Sequence, residues 1–246
     1  MLPIGDRNPT RSTPVVNYAL LALNVLAFVI QAIASAGGGD AWVVPGYGLV
    51  PARITSDPAG EAFTILTSLF MHGGLVHLGG NLLFLYIFGD NVEDAIGHVR
   101  YVVFYLASGV GAAAAQVATD TGSTVPMVGA SGAIAGVLGA YLVLYPRAPI
   151  TVLVPPPLGF FVGFFIVLPA WVVMGGWFLV NLTSGVGTLG AAASGGVAFF
   201  AHIGGFLTGL LAIRPFHTGR ERILVDRWRG WRPPERPVPS RVGRRP

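Results

Sequence analysis

Apolar residues gather along this chain into six runs, and no Asp or Glu falls inside any of them. The runs cover residues 15–34, 69–88, 101–118, 126–146, 160–182 and 197–213. A membrane helix needs about 20 predominantly apolar residues. The pattern therefore predicts an all-α membrane protein built as a bundle of six transmembrane helices. No repeat of about 20–50 residues is visible. The first run has some marks of a signal peptide: Arg7 and Arg11 precede it, and Ala34-Ser35-Ala36 resembles a cleavage site. Its length exceeds the ~7–15 residues of a signal core, so it is read as a retained span.

Composition supports a chain placed in lipid. Of its 246 residues, 53% are hydrophobic and 11% charged, with a mean hydropathy of +0.67. A soluble domain carries roughly 25% charged residues. There is no cysteine, which excludes disulfides and thiolate metal sites. All 15 basic residues are arginines, and 10 of them lie from Arg214 onward. No folded domain carries this charge, so it reads as a topology and headgroup signal and excludes a nucleic-acid surface.

Six crossings put both termini on one side. With the termini in the cytoplasm, 14 of the 15 arginines face inward and only Arg53 faces outward, as the positive-inside rule asks. The expected layout is a cytoplasmic segment 1–14, a membrane domain 15–215 and a basic, disordered cytoplasmic tail 216–246, with no second folded domain. The outer segment 37–68 offers Trp42, Tyr47 and Phe63 to the interface. Residues 183–196, rich in Gly, Ala and Ser, read as a flexible outer loop.

The fourth run is short, confined between Pro126 and Pro146. At 1.5 Å per residue, a helix over 131–145 spans only about 22 Å of a ~30 Å hydrocarbon core. Ser131 is then expected below the outer surface, under a water-filled depression. His202 stands near the start of the sixth run, which travels in the same direction, so both fall in the outer half of the bilayer. Polar residues at such depth are costly and mark function. Gly132, Gly136 and Gly139 on the fourth span, and His202, Gly205 and Gly209 on one face of the sixth, let the two backbones approach.

A serine hydroxyl needs a base, and His202 can serve. His77 and Asn81, four apart on the second span, share a helix face at the same inferred depth. With the Ser131 amide they can supply donors to an oxyanion. No carboxylate lies near, so a Ser–His dyad is expected and a triad is not. Taken singly these signals are weak. Gly129-Ala130-Ser131-Gly132 could be an ordinary helix start with a serine cap. It also lacks the second glycine of the hydrolase elbow. A lone membrane histidine can be a packing residue. Asn24, Gln116 and Asn181 read as interhelical hydrogen bonds. His72, His77 and His202 could in principle hold zinc, but no His-Glu-x-x-His occurs.

Together these residues resemble the rhomboid intramembrane serine proteases over about residues 14–215. The motifs are His72-Gly73 followed by His77 and Asn81, then Gly129-Ala130-Ser131-Gly132, then Ala201-His202 with Gly205 and Gly209. The segment 89–105, with Glu93, Gly97 and Arg100, is similar to the family's connection between second and third helices. The resemblance implies a six-helix bundle that hydrolyses peptide bonds in transmembrane protein substrates, with no cofactor and no metal. It implies Ser131 as nucleophile, His202 as base, His77, Asn81 and the Ser131 amide around the oxyanion, and His72 in support. It also implies that residues 183–196 and the fifth span act as cap and lateral gate. A silent relative that only binds membrane clients usually lacks the serine or histidine. A transporter or channel would need a polar path through the membrane. Two positions depart from the pattern: Phe63-Thr64 stands where many members have Trp-Arg, and Ala135 where many have an aromatic residue. A bacterial inner membrane is the expected location. Oligomeric state is not assigned.

Overall fold

In the computed structural model, residues 1–37, 43–189 and 197–216 are described. Six helices dominate: α1 Val15–Ala36, α2 Leu75–Ile96, α3 His98–Thr119, α4 Ser131–Leu144, α5 Ala170–Thr188 and α6 Phe199–Ala212. By length and composition α1, α3 and α5 can each cross a membrane. The short helices over 58–70 and α2 meet these criteria only as a pair, bent by 81° between them. α4 and α6 are shorter apolar helices of 14 residues each, about 21 Å long. The chain is a mostly helical membrane bundle.

α4 lies at the centre. Every residue from Gly132 to Tyr141 is buried, against α2, α3 and α6. Small residues permit this. A methyl on Gly209 would lie 1.9 Å from the Gly136 carbonyl oxygen, and one on Gly139 would lie 2.2 Å from that of Phe206. α1 and α5 are peripheral, and they expose Leu26, Ile30, Ile33, Trp171, Leu179 and Val180. An apolar patch of that extent marks a lipid- or protein-facing surface.

The all-α expectation is incomplete: a three-stranded antiparallel sheet forms in the order β1 Leu2–Asp6, β2 Pro149–Leu153, β3 Phe165–Pro169. Leu2 pairs with Leu153 and Asp6 with Ile150; Pro149 pairs with Pro169 and Leu153 with Phe165. Residues 149–153 alternate Ile150 and Val152 into the core, the period of a half-buried strand. The N-terminal segment is thus sheet at residues 2–6. The fifth span also needs correction. It starts at Ala170, because residues 160–169 fold back as a hairpin through a short helix, Leu158–Val162. That short helix ends at Gly163, φ +94°, and α5 begins only after Pro169, its N-cap. α5 then continues to Thr188, so the expected outer loop is helical over its first residues, while 190–196 lie outside the described residues, as do Trp42 and tail residues 217–246.

Two acidic side chains close the N-terminal end of α1. Pro14 offers that helix no side-chain cap. Instead Glu93 accepts from the Val16 and Asn17 amides at 3.0 and 2.7 Å, and Asp94 accepts from those of Arg11 and Ser12 at 3.2 and 2.9 Å. α2 reaches Ile96, and Gly97 at φ +84° turns the chain directly into α3. In the outer segment Arg53 donates from Nε and Nη2 to Glu61 Oε1 at 2.9 and 2.5 Å, and from Nη1 to the Pro45 carbonyl. This ties the loop where Trp-Arg is missing. Thr64 is buried beside the ion pair, and Phe63 meets Tyr47 edge-on at 6.4 Å.

Candidate active site

The start of α4 is set by the segment before it. Leu49 and Met127 exchange backbone hydrogen bonds at 3.0 and 2.7 Å, and the Gly129 amide donates to the Ser68 carbonyl at 2.8 Å. Gly129 has φ +125°, and a Cβ on it would lie 2.7 Å from the His77 ring. Only glycine satisfies both conditions. Ser131 is consequently the first residue of α4, and its hydroxyl does not cap its own helix. Its Oγ lies 2.8 Å from His202 Nε2. Its amide sits in the first turn, where N–H groups have no intrahelical acceptor.

His202 occupies the first turn of α6. Gln116 of α3 secures that turn by accepting from the Ala201 amide at 3.1 Å. The far ring nitrogen, Nδ1, lies 2.7 Å from Asn181 Oδ1 on α5. The Trp177 ring, one turn earlier on α5, packs 5.5 Å from the imidazole at 36°. Trp177 thus supplies the aromatic contact that Ala135, buried within α4, does not.

α2 contributes His77 and Asn81. The Gly73 amide lies 3.4 Å from His77 Nδ1. An amide can only donate, so Nδ1 is the acceptor and Nε2 bears the proton, on the side of Gly129. Asn81 is buried, and its Nδ2 has no hydrogen-bond partner among the described residues. His72 is fully buried just ahead of α2. Gln31 of α1 clasps its backbone, accepting from the His72 amide at 3.1 Å and donating to its carbonyl at 2.8 Å. Its Nδ1 faces the Phe70 carbonyl at 3.2 Å, and its ring meets His77 edge-on at 5.3 Å. Among the described residues His72 therefore touches His77 and makes no hydrogen bond to Ser131.

Ser131, His202, His77, Asn81, Gly129 and Gly132 line one cavity of about 1560 Å³. Gly205 and Gly209 lie behind it in the α4–α6 contact. Among the described residues no three His, Cys, Asp or Glu side chains converge to hold a metal ion. What the arrangement can do chemically is move a proton between a hydroxyl and an imidazole beside unpaired N–H donors.

Asn181 was the contact that sequence reasoning undervalued. It reads as an interhelical hydrogen bond, which it makes, and its partner is His202. The signal was available: it is a polar residue in an apolar span, the same criterion that singled out His202. Gln116 also bonds across helices, whereas Asn24 donates back to Leu20 of its own helix at 2.7 Å.

A mostly helical membrane bundle with a serine and a histidine in contact across two glycine-packed helices defines a narrow class. A family profile described as the rhomboid domain matches residues 59–218, and the chain belongs to the rhomboid family. Among its relatives is the rhomboid protease GluP of Bacillus subtilis (strain 168), 33% identical over 52% of this chain and 24% of the relative. The mitochondrial rhomboid protein 1 of Saccharomyces cerevisiae is 28% identical over 79% of this chain and 51% of the relative. The human presenilin-associated rhomboid-like protein, also mitochondrial, is 29% identical over 58% and 36%. This chain thus spans only 24% to 51% of the length of these relatives. They come from a bacterium and from mitochondria, so they lend no support to a bacterial inner membrane in particular.

Proposed function

We propose that this protein is an intramembrane serine endopeptidase acting on transmembrane protein substrates. The observation that carries the reading is the 2.8 Å contact between Ser131 Oγ and His202 Nε2 inside a cavity shared with His77 and Asn81. Ser131 Oγ attacks the scissile carbonyl carbon, and its proton passes to His202 Nε2. The negative charge develops on the former carbonyl oxygen, facing the Ser131 amide, His77 Nε2–H and Asn81 Nδ2. Each such donor contributes roughly 3 kcal/mol at the transition state. The tetrahedral species collapses, the C–N bond breaks, and His202 returns the proton to the departing amine. Water, deprotonated by His202, then hydrolyses the acyl-enzyme and restores Ser131.

In this reading six segments cross the bilayer, both termini face the cytoplasm, and the tail from 216 lies against anionic headgroups. The 14-residue α4 leaves Ser131 below the outer surface, where water and a laterally approaching substrate can meet. The test is labelling of detergent-purified protein with a fluorophosphonate probe. Labelling in the wild type that disappears in both Ser131→Ala and His202→Ala is expected. A correctly folded wild type that stays unlabelled, under conditions where a known rhomboid protease reacts, would favour the silent client-binding reading.

A further inference from the structure

We infer that Asn181 is the positioning residue of the base, so that the working unit is Ser131–His202–Asn181. The inference rests on the protease reading for its catalytic meaning, and on hydrogen-bond geometry for its content. Asn181 is buried on α5, and its Nδ2 donates to the Trp177 carbonyl at 2.8 Å. A carbonyl only accepts, so this bond fixes which end of the amide is which. The end facing His202 Nδ1 at 2.7 Å is therefore Oδ1, a pure acceptor.

That acceptor selects the tautomer. Nδ1 must carry the ring proton, since the other tautomer would set two lone pairs against each other. Nε2 is then unprotonated and faces the Ser131 hydroxyl at 2.8 Å, as a general base requires. An orienting third group of this kind is the logic of nucleophile–base–orienter sites, and an asparagine fills the place in papain-like proteases. Trp177 constrains the ring plane from the same helix, one turn away. Both constraints on the imidazole thus come from α5.

The choice of an amide has a physical reason. A carboxylate at this depth would carry a costly buried charge, and the neutral histidine beside it would not compensate. An amide orients the ring without a buried charge. It also gives less stabilisation to the imidazolium formed in the transition state, so its removal costs less than loss of an aspartate.

The experiment uses two readouts on the full chain in detergent. Nitrogen-15 NMR of histidine-labelled protein reports the tautomer of His202, whose signals are those absent from His202→Ala. Wild type is expected as the Nδ1–H form; finding the Nε2–H form overturns the inference without any Asn181 variant. In Asn181→Leu, similar in shape but without an acceptor, the signal is expected to become a mixture. The maximal fluorophosphonate labelling rate is expected to fall by about 10- to 100-fold, with the half-saturating probe concentration unchanged within about twofold. An unchanged tautomer and rate in Asn181→Leu would overturn the role while leaving the protease reading intact. A wild type that does not label, yet shows an Asn181-dependent Nδ1–H tautomer, would sink the protease reading and keep the positioning role.

Discussion

A methyl group on Gly205 would lie 1.9 Å from the carbonyl oxygen of Gly132, so α6 and α4 meet there backbone to backbone. The contact lies one residue beyond Ser131 and three beyond His202. Gly205→Ala is expected to force the two helices apart, costing about 1–3 kcal/mol by overpacking. It should also abolish fluorophosphonate labelling, because the Ser131–His202 distance depends on the same contact. Thermal unfolding and labelling of one preparation check both. An unchanged melting temperature with full labelling would show that the helices part without cost.

Asn81 brings an unpaired buried amide nitrogen to the cavity. If that nitrogen waits for an oxyanion, Asn81→Ala lowers the maximal labelling rate by roughly 100- to 1000-fold. The half-saturating probe concentration should barely move, since the bond is made only as charge develops. A change confined to half-saturation would instead make Asn81 a binding residue.

Glu93 is fully buried and holds the first turn of α1 by two charge-assisted bonds. Glu93→Ala is expected to destabilise the fold by about 1–3 kcal/mol, read as a lower melting temperature. Glu93→Gln, which keeps one acceptor, should fall between. Position 93 is 16 residues beyond His77 along α2, about 24 Å away. Labelling by the protein that remains folded should therefore be normal in both, and a selective loss of labelling would contradict that separation.

Asp6, at the end of β1, accepts from the Tyr141 hydroxyl at 2.5 Å. Its carboxyl is pushed up to about 7, chiefly by burial; the Tyr141 bond works against this, and the nearby Asp90 charge adds to it. The folded state thus holds this proton where the unfolded chain, near 3.8, has released it. The associated stability is complete below about pH 4 and is lost as pH rises through about 7. The wild type should be less stable at pH 8 than at pH 5, by on the order of a few kcal/mol at most, read as a lower melting temperature. Asp6→Asn, permanently neutral, should show a smaller drop. Equal drops in both proteins would remove Asp6 from the account.

Much of this molecule was legible in its sequence because lipid imposes strict rules. Apolar length located α1, α3 and α6 within a few residues, and the cost of buried polarity pointed to Ser131 and His202. What escaped was set by long-range partners. The cap of α1 comes from Glu93, 77 residues from Val16. Residues 160–169 are as apolar as a span, yet 165–169 pair with β2, which itself pairs with residues 2–6. The loop lacking Trp-Arg is held by Arg53 and Glu61, a pair that local patterning does not reveal. Asn181 was visible as a polar residue in the membrane, but its partner depends on how α5 leans on α6.

The site is held by two kinds of joint. Between α4 and α6 the glycines leave no slack, so the separation of Ser131 and His202 behaves like a dimension machined into the bundle. The aim of the imidazole is held from α5 by one amide bond and one ring contact, both made by side chains. A small displacement of α5 would therefore leave Ser131 and His202 equally close and yet misdirected. Such a protein could be idled with its fold intact, detuned by rotation of a single ring.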